Sequence, residues 1–273
     1  MLLKRFKYYL LVGGLPEAVN KYLEDGNMVR VRSVHKDIHE LYRIEAPQYD
    51  LERKLKIRSI YDLIPSNLEN KKKRVVYSKI ENKTGKHFSD YADEFEYLTN
   101  SGVTLEVLAI NNPRFPLVES QQKRLINLYL NDVGLLTYLL YGLNVNAVLH
   151  DVRSINLGTV YESAVAQELS AHNFKLHYYD NKQKGEVDFL IDDYDALRVL
   201  PLEVKSGKDY TEHSALKKFL DTPDYGITRA IVFSNERHVY KKDGVVYMPV
   251  YYSMFLQNQA LGDSVILPEF EVI

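Results

Sequence analysis

No cysteine occurs in the 273 residues, which excludes disulfides and zinc–thiolate sites and agrees with a reducing compartment. No segment reaches the roughly 20 consecutive apolar residues needed to cross a bilayer. The opening stretch, Met1-Leu-Leu-Lys-Arg-Phe-Lys-Tyr-Tyr-Leu-Leu-Val12, mixes charge into a short apolar run and lacks a signal-peptide core. A cytoplasmic protein without a membrane partner is expected. A surplus of charge is missing too: 35 Lys and Arg against 37 Asp and Glu leave a formal net charge of −2. Such a balance gives no global footprint for nucleic acid, so any binding of that kind must use a local patch. Internal repeats and low-complexity segments are absent. So is the phosphate-cradling pattern Gly-x4-Gly-Lys-[Ser/Thr]; Thr84-Gly-Lys-His87 lacks both its first glycine and its hydroxyl residue.

What is present is ordinary for a globular chain: 45% hydrophobic and 26% charged residues, with enough length for one large domain or two smaller ones. The first section reads as mostly helical. Leu15–Leu23 follows the Gly13-Gly14 turn with Pro16 in its first turn, and Val29–Arg43 carries Val31, Val34, Ile38 and Leu41 at helical spacing. A third helix runs from Leu51 to Ile64 and ends at Pro65. Ser89 is expected to cap a helix through Asn100. A strand Val103–Ile110, a turn at Asn111-Asn-Pro113 and a short return Phe115–Val118 follow, an order that resembles a winged helix. Arg124–Leu130 reads as a strand, and Asp132 as the cap of a helix Val133–Tyr141. The polar stretch around Leu143–Ile155 separates a helical, winged-helix-like region, 1–145, from an α/β domain, 146–273. There the pattern is a helix Gly158–His172, strands Lys175–Tyr179, Val187–Asp192 and Val199–Lys205, a helix Glu212–Leu220, and β-rich runs Arg229–Ser234 and Val245–Val250.

Four side chains in the second region carry chemistry: Glu162, Asp188, Glu203 and Lys205. Glu-x-Lys alone is weak, since Glu52-Arg-Lys54, Glu69-Asn-Lys71 and Glu81-Asn-Lys83 share it. Only Glu203-Val-Lys205 ends an apolar strand, with Leu202 and Val204 on one face and Glu203 and Lys205 on the other. The same alternation sets Val187 and Phe189 against Glu186 and Asp188. A half-buried sheet with one solvated face shows this pattern as well. The helix adds a second signal: Val165, Ala166 and Leu169 lie on the face that carries Glu162. A carboxylate on that stripe needs a cation, which Lys205 or a metal would supply, unless it reaches water at the stripe's edge. Asp188, Glu203 and the Val204 carbonyl, completed by Glu162, are hard oxygen donors suited to Mg²⁺ or Mn²⁺. Lys205 would orient a water or neutralise a phosphorane-like transition state. Glu186 is a weaker candidate.

The spacing Asp188…Glu203-Val-Lys205 after a helix bearing Glu162 resembles the PD-(D/E)XK nuclease superfamily, in its Holliday-junction-resolvase-like branch. More of the chain looks like the C-terminal part, DUF4143, of a prokaryotic AAA+ ATPase family. The matching pieces are Gly13-Gly-Leu-Pro-Glu-Ala-Val19, Leu128-Tyr-Leu-Asn-Asp-Val-Gly-Leu-Leu136, Gly158-x3-Glu162, Glu186-Val-Asp-Phe189 and Glu203-Val-Lys-Ser206, spread over residues 10–220. The resemblance implies a winged-helix-like region followed by a restriction-endonuclease-like α/β domain with a central mixed sheet, and an active-site set of Glu162, Asp188, Glu203 and Lys205. The family's ATPase module precedes Gly13, where a dozen residues stand here. No ATP binding is therefore expected of this chain. A protein partner or a separate ATPase module, and DNA through a local site, are the expected partners.

Two signals are discounted. Lys71-Lys-Lys-Arg74 reads as a solvated turn, and the helix after Ser89 carries Asp90, Asp93, Glu94 and Glu96, which would repel a DNA backbone. The region is therefore read as a packing or interaction module. A non-enzymatic module that keeps the fold as a scaffold stands beside the nuclease reading.

Overall fold

The computed structural model describes residues 2–44, 51–150, 152, 155–207 and 210–258. Ten helices and eight strands follow one another among them. The helices α1 (Leu2–Val12), α2 (Pro16–Asp25), α3 (Met28–Ile44), α4 (Leu51–Glu69), α5 (Tyr77–Ile80) and α6 (Ala92–Asn100) come first. The hairpin β1 (Thr104–Ile110) and β2 (Gln121–Leu130) follows, then α7 (Val133–Tyr141), α8 (Asn146–Leu149) and α9 (Leu157–Ala171). The remainder is β3 (His177–Asn181), β4 (Gly185–Asp193), β5 (Arg198–Val204), α10 (Ser214–Leu220), β6 (Ala230–Ser234), β7 (Tyr240–Lys242) and β8 (Val245–Pro249).

Most elements lie where periodicity predicts them, and the departures have local causes. The third helix runs through Pro65 to Glu69, because Ile60, Ile64 and Leu68 remain on one buried face beyond the proline. That packing outweighs the backbone hydrogen bond which proline removes. The turn Phe88–Asp90 is a 3-10 turn that precedes α6, so Tyr91, not Ser89, stands at the helix cap. The short return expected at Phe115–Val118 is a loop leading to a 3-10 turn at Leu117–Ser120, and β2 itself is the return strand.

All eight strands form one mixed sheet, in the order β2-β1-β3-β4-β5-β6-β8-β7. β1 pairs antiparallel with β2 and parallel with β3, so the hairpin of the first region continues the sheet of the second. β3, β4 and β5 are antiparallel neighbours, whereas β5, β6 and β8 run parallel. One face carries the larger core, in which Val165, Ala166 and Leu169 of α9 join Leu202, Val204 and Phe233. Leu216 and Phe219 of α10 cover the other face with Tyr179, Leu190 and Val232.

Two motifs far apart in sequence lock α1 to α7. Gly13, at φ 74°, and Gly14 turn the chain over the start of α7, where the Gly14 N–H donates to Asp132 Oδ2 at 2.7 Å and the Leu135 N–H to Asp132 Oδ1 at 2.8 Å. Asp132 is thus a helix cap that also ties down the glycine turn, as its place before Val133 predicts. The fully buried Arg32 donates through Nη1 to the carbonyls of Leu11 and Gly134 and to Thr137 Oγ1.

His35, equally buried, bonds through Nε2 to the Val12 carbonyl at 3.0 Å. Burial, and then the Arg32 charge, hold it neutral and pull its pKa down to about 4. The unfolded chain takes up that proton near pH 6.5. The stabilising contribution of neutral His35 is therefore complete above pH 6.5 and is lost as the pH falls toward 4. The stability difference between the wild type and His35→Gln should narrow by about 2 kcal/mol from pH 7 to pH 5. Urea midpoints at the two pH values measure it, and a constant difference would refute the assignment.

Candidate functional site

Asp188 sits where the pairing of β4 with β3 slips. Tyr179 faces Val187 and His177 faces Leu190, so Asp188 and Phe189 together oppose Tyr178. Such a bulge breaks alternation and re-aims a side chain. Val187 accordingly packs in the α10-side core and Phe189 in the α9-side core, although strict alternation places them on one face. Asp188 Oδ2 accepts the Val204 N–H at 2.8 Å. That bond fixes the carboxylate against the end of β5.

On β5, Leu202 and Val204 enter the larger core, and Glu203 and Lys205 alternate with them. Glu203 is 5% exposed. Its Oε1 receives the Lys205 ammonium at 2.7 Å, and its Oε2 is buried with no hydrogen-bond partner. Glu162 projects from the first half of α9 and is 7% exposed. Its face is the apolar one, as the heptad-like spacing requires.

The cation that meets Glu162 is not Lys205 but Lys73. Its ammonium bonds to Glu162 Oε2 and lies 3.7 Å from Asp188 Oδ1. Tyr129 of β2 donates to the same Glu162 oxygen at 3.4 Å. Within the run Lys71–Arg74, Lys71 and Lys72 are exposed in a bend as composition suggests, whereas Lys73 and Arg74 are drawn into the protein. Arg74 forms a β-bridge with Asn127, the Val75 N–H bonds to the Ile126 carbonyl at 3.2 Å, and Val75 is buried. The strand-like pinning beside β2 aims Lys73 inward, and Arg74 pairs with Asp180 on β3. The signal available in sequence was the apolar Val75-Val76 directly after the charges, which anchors a basic run against a core.

The structure thus brings Glu162 and Asp188 together around Lys73, and sets the Glu203–Lys205 pair beside them. Burial, followed by the Asp188 charge, pushes both the Glu162 and the Glu203 carboxyls up, against the pull of their lysines. Burial draws the Lys73 ammonium down, but Glu162, with Tyr129 and Asp188 behind it, holds it well above its ordinary value. Glu186 is also raised by burial. Three carboxylates against two ammoniums leave the centre negative when all are ionised. Among the described residues, no three His, Cys, Asp or Glu side chains are grouped to hold a metal ion as they stand. His172 and His177 join no such group, and His177 is instead a buried residue of β3.

Fold and site define a mixed α/β protein with a buried acid–lysine centre shared between an N-terminal helical region and a C-terminal sheet. Among the described residues, no helix is long and apolar enough to cross a membrane. The chain belongs to the family described as Domain of unknown function (DUF8612), which matches residues 3–148, more than half of its length. Residues 157–252 match Domain of unknown function (DUF4143). The DUF4143 resemblance expected over residues 10–220 thus holds in the second region, and the Gly13 and Leu128 motifs fall in the DUF8612 match. No curated protein and no solved structure matches the chain. Glu162, Asp188, Glu203 and Lys205 lie in the DUF4143 match and Lys73 in the other, so the centre is built from both.

Proposed function

We propose that the acid–lysine centre is a PD-(D/E)XK-type nuclease site that hydrolyses phosphodiesters of DNA with a divalent cation. One observation carries the reading: Glu203 Oε2 is a buried oxygen without a hydrogen-bond partner, and the charges of Asp188 and Glu162 act on its carboxyl. A buried acceptor left unpaired is costly unless a cation meets it. The donor chemistry fits Mg²⁺ or Mn²⁺: Asp188, Glu203 and the Val204 carbonyl would hold the ion, with Glu162 completing the shell. When bound, such an ion lowers the pKa of a water and offsets charge on the phosphate. The chain's own groups supply the rest. The Val204 N–H orients Asp188. The Lys205 ammonium, half-exposed beside Glu203, faces the negative charge that develops as the phosphate is attacked.

The reading includes a cytoplasmic protein that works beside an AAA+ ATPase module, with the helices and hairpin of residues 1–145 serving as the winged-helix-like part. Asp188→Ala and Lys205→Ala should each lower Mg²⁺- or Mn²⁺-dependent cleavage by at least about a hundredfold while the fold is kept. Gel assays on linear, branched and single-stranded DNA measure this, with circular dichroism as the control. Absence of cleavage by the wild type with either metal would sink the catalytic reading.

A second reading, a non-catalytic interaction or regulatory module retaining the fold, is favoured by Lys73, which already balances Glu162 and Asp188. Calorimetry without metal binding, together with unchanged partner binding in Glu203→Ala, would select it.

A further inference from the structure

A cleft of about 1280 Å³ lies between α1, residues Leu149, His150, Val152 and Ile155, and the ends of β5 and β6. Among the described residues, Lys4 and Lys7 on α1 and Arg237 after β6 bring positive charge to it. No described lining residue is acidic, although the chain as a whole has more acids than bases. One wall includes Ser206 and Gly207, which directly follow Lys205. That wall is held in place: Asn235 Nδ2 donates to the Ser206 carbonyl at 2.6 Å, and the Tyr161 hydroxyl to Asn235 Oδ1 at 2.9 Å. Ser206 Oγ and Glu162 Oε1 both lie about 4 Å from where a side chain on Gly158 would begin, 3.9 and 4.0 Å away. The cleft lining at Ser206 therefore lies close to Glu162 of the acidic centre.

We propose that this cleft is the track for a polynucleotide backbone, with the exposed Lys4 and Arg237 meeting its phosphates as the strand nears the centre past Ser206 and Gly207. The inference rests on the nuclease reading and names the route of its substrate. The charge pattern argues for it: a polyanion approaches most readily where cations line the way. Lys4 and Arg237 are exposed, so their heads face solvent at the mouth. Lys7 is half-buried, and its ammonium donates to the Leu149 carbonyl at 3.3 Å.

The test is fluorescence anisotropy with labelled single-stranded and duplex DNA, in EDTA so that no cleavage intervenes. The full chain is compared with the double variant Lys4→Glu/Arg237→Glu, whose exposed positions leave the core untouched. Wild type should bind. The variant should bind at least about tenfold more weakly, and its dependence of log K on log salt should flatten by roughly 1.4 for a single strand. Variant binding equal to wild type overturns the track while leaving the cleavage reading standing. Lost binding in the variant without any cleavage by wild type supports the track and overturns the cleavage reading. No binding of either DNA by wild type overturns the track.

Discussion

Lys73→Met should destabilise the protein by about 3–5 kcal/mol and, in the same variant, make added Mn²⁺ or Mg²⁺ strongly stabilising. Methionine keeps the length and apolar stem of lysine but removes the charge. The side chains of Lys73, Glu162 and Asp188 are 13%, 9% and 13% exposed, so water offers little compensation to the carboxylates left behind. Removing one partner of a buried pair is costly because the other charge stays buried. A divalent cation admitted to the vacated space would neutralise the same two carboxylates and return stability in proportion to its occupancy. Melting curves of wild type and variant, each with and without metal, read both effects. In wild type the ammonium competes for the same oxygens, so metal should raise the melting temperature less. A variant as stable as wild type would show that Lys73 is a surface decoration. A destabilised variant that no divalent cation rescues would remove the metal from the proposal and leave the lysine as the permanent counter-ion.

Gly134→Ala should cost about 3 kcal/mol, at the upper end for overpacking. Gly134 lies in the first turn of α7, where a β-carbon would come within 2.7 Å of the Gly13 nitrogen and of the Val12 carbon and oxygen. These are backbone atoms, so no side chain can swing aside. Either α1 shifts from α7 or the glycine turn opens, and both disturb the Arg32 bonds to the carbonyls of Leu11 and Gly134. Gly207→Ala is the matched control, since nothing lies within 4 Å of its would-be β-carbon. Urea unfolding should separate the two variants. Equal midpoints would mean that α1 and α7 do not meet closely enough at Gly134 to exclude a methyl group.

The sequence made the helices and most strands readable because each keeps one apolar period along its length. Asp132 was readable as a cap because capping is local chemistry. Three features were not, and each depends on residues distant in the chain. Pro65 does not end α4, since the core beneath Ile64 and Leu68 holds the helix beyond it. Asp188 is turned by a bulge, which registers only in the pairing of β4 with β3 and not in the alternation of β4 alone. Lys73 looks like one more charge in Lys71-Lys-Lys-Arg74. Only the bridge between Arg74 and Asn127 shows that the segment is held as an added strand and that its lysine points inward. The candidate quartet was therefore legible as a set of residue types, but the cation that joins Glu162 to Asp188 was not.

The pairing of β1 with β3 bears on how the two matched regions can be inherited. Leu108, Ala109 and Ile110 supply the backbone partners of His177, Tyr178 and Tyr179. Without them β3 would present an open edge, which invites association with other chains. A recombination event that transplanted residues 157–252 into another protein would have to bring along a strand in matching register and a cation in the place of Lys73. The regions are thus coupled as an evolutionary unit, and sequence drift in either is constrained by hydrogen-bond and charge partners encoded in the other.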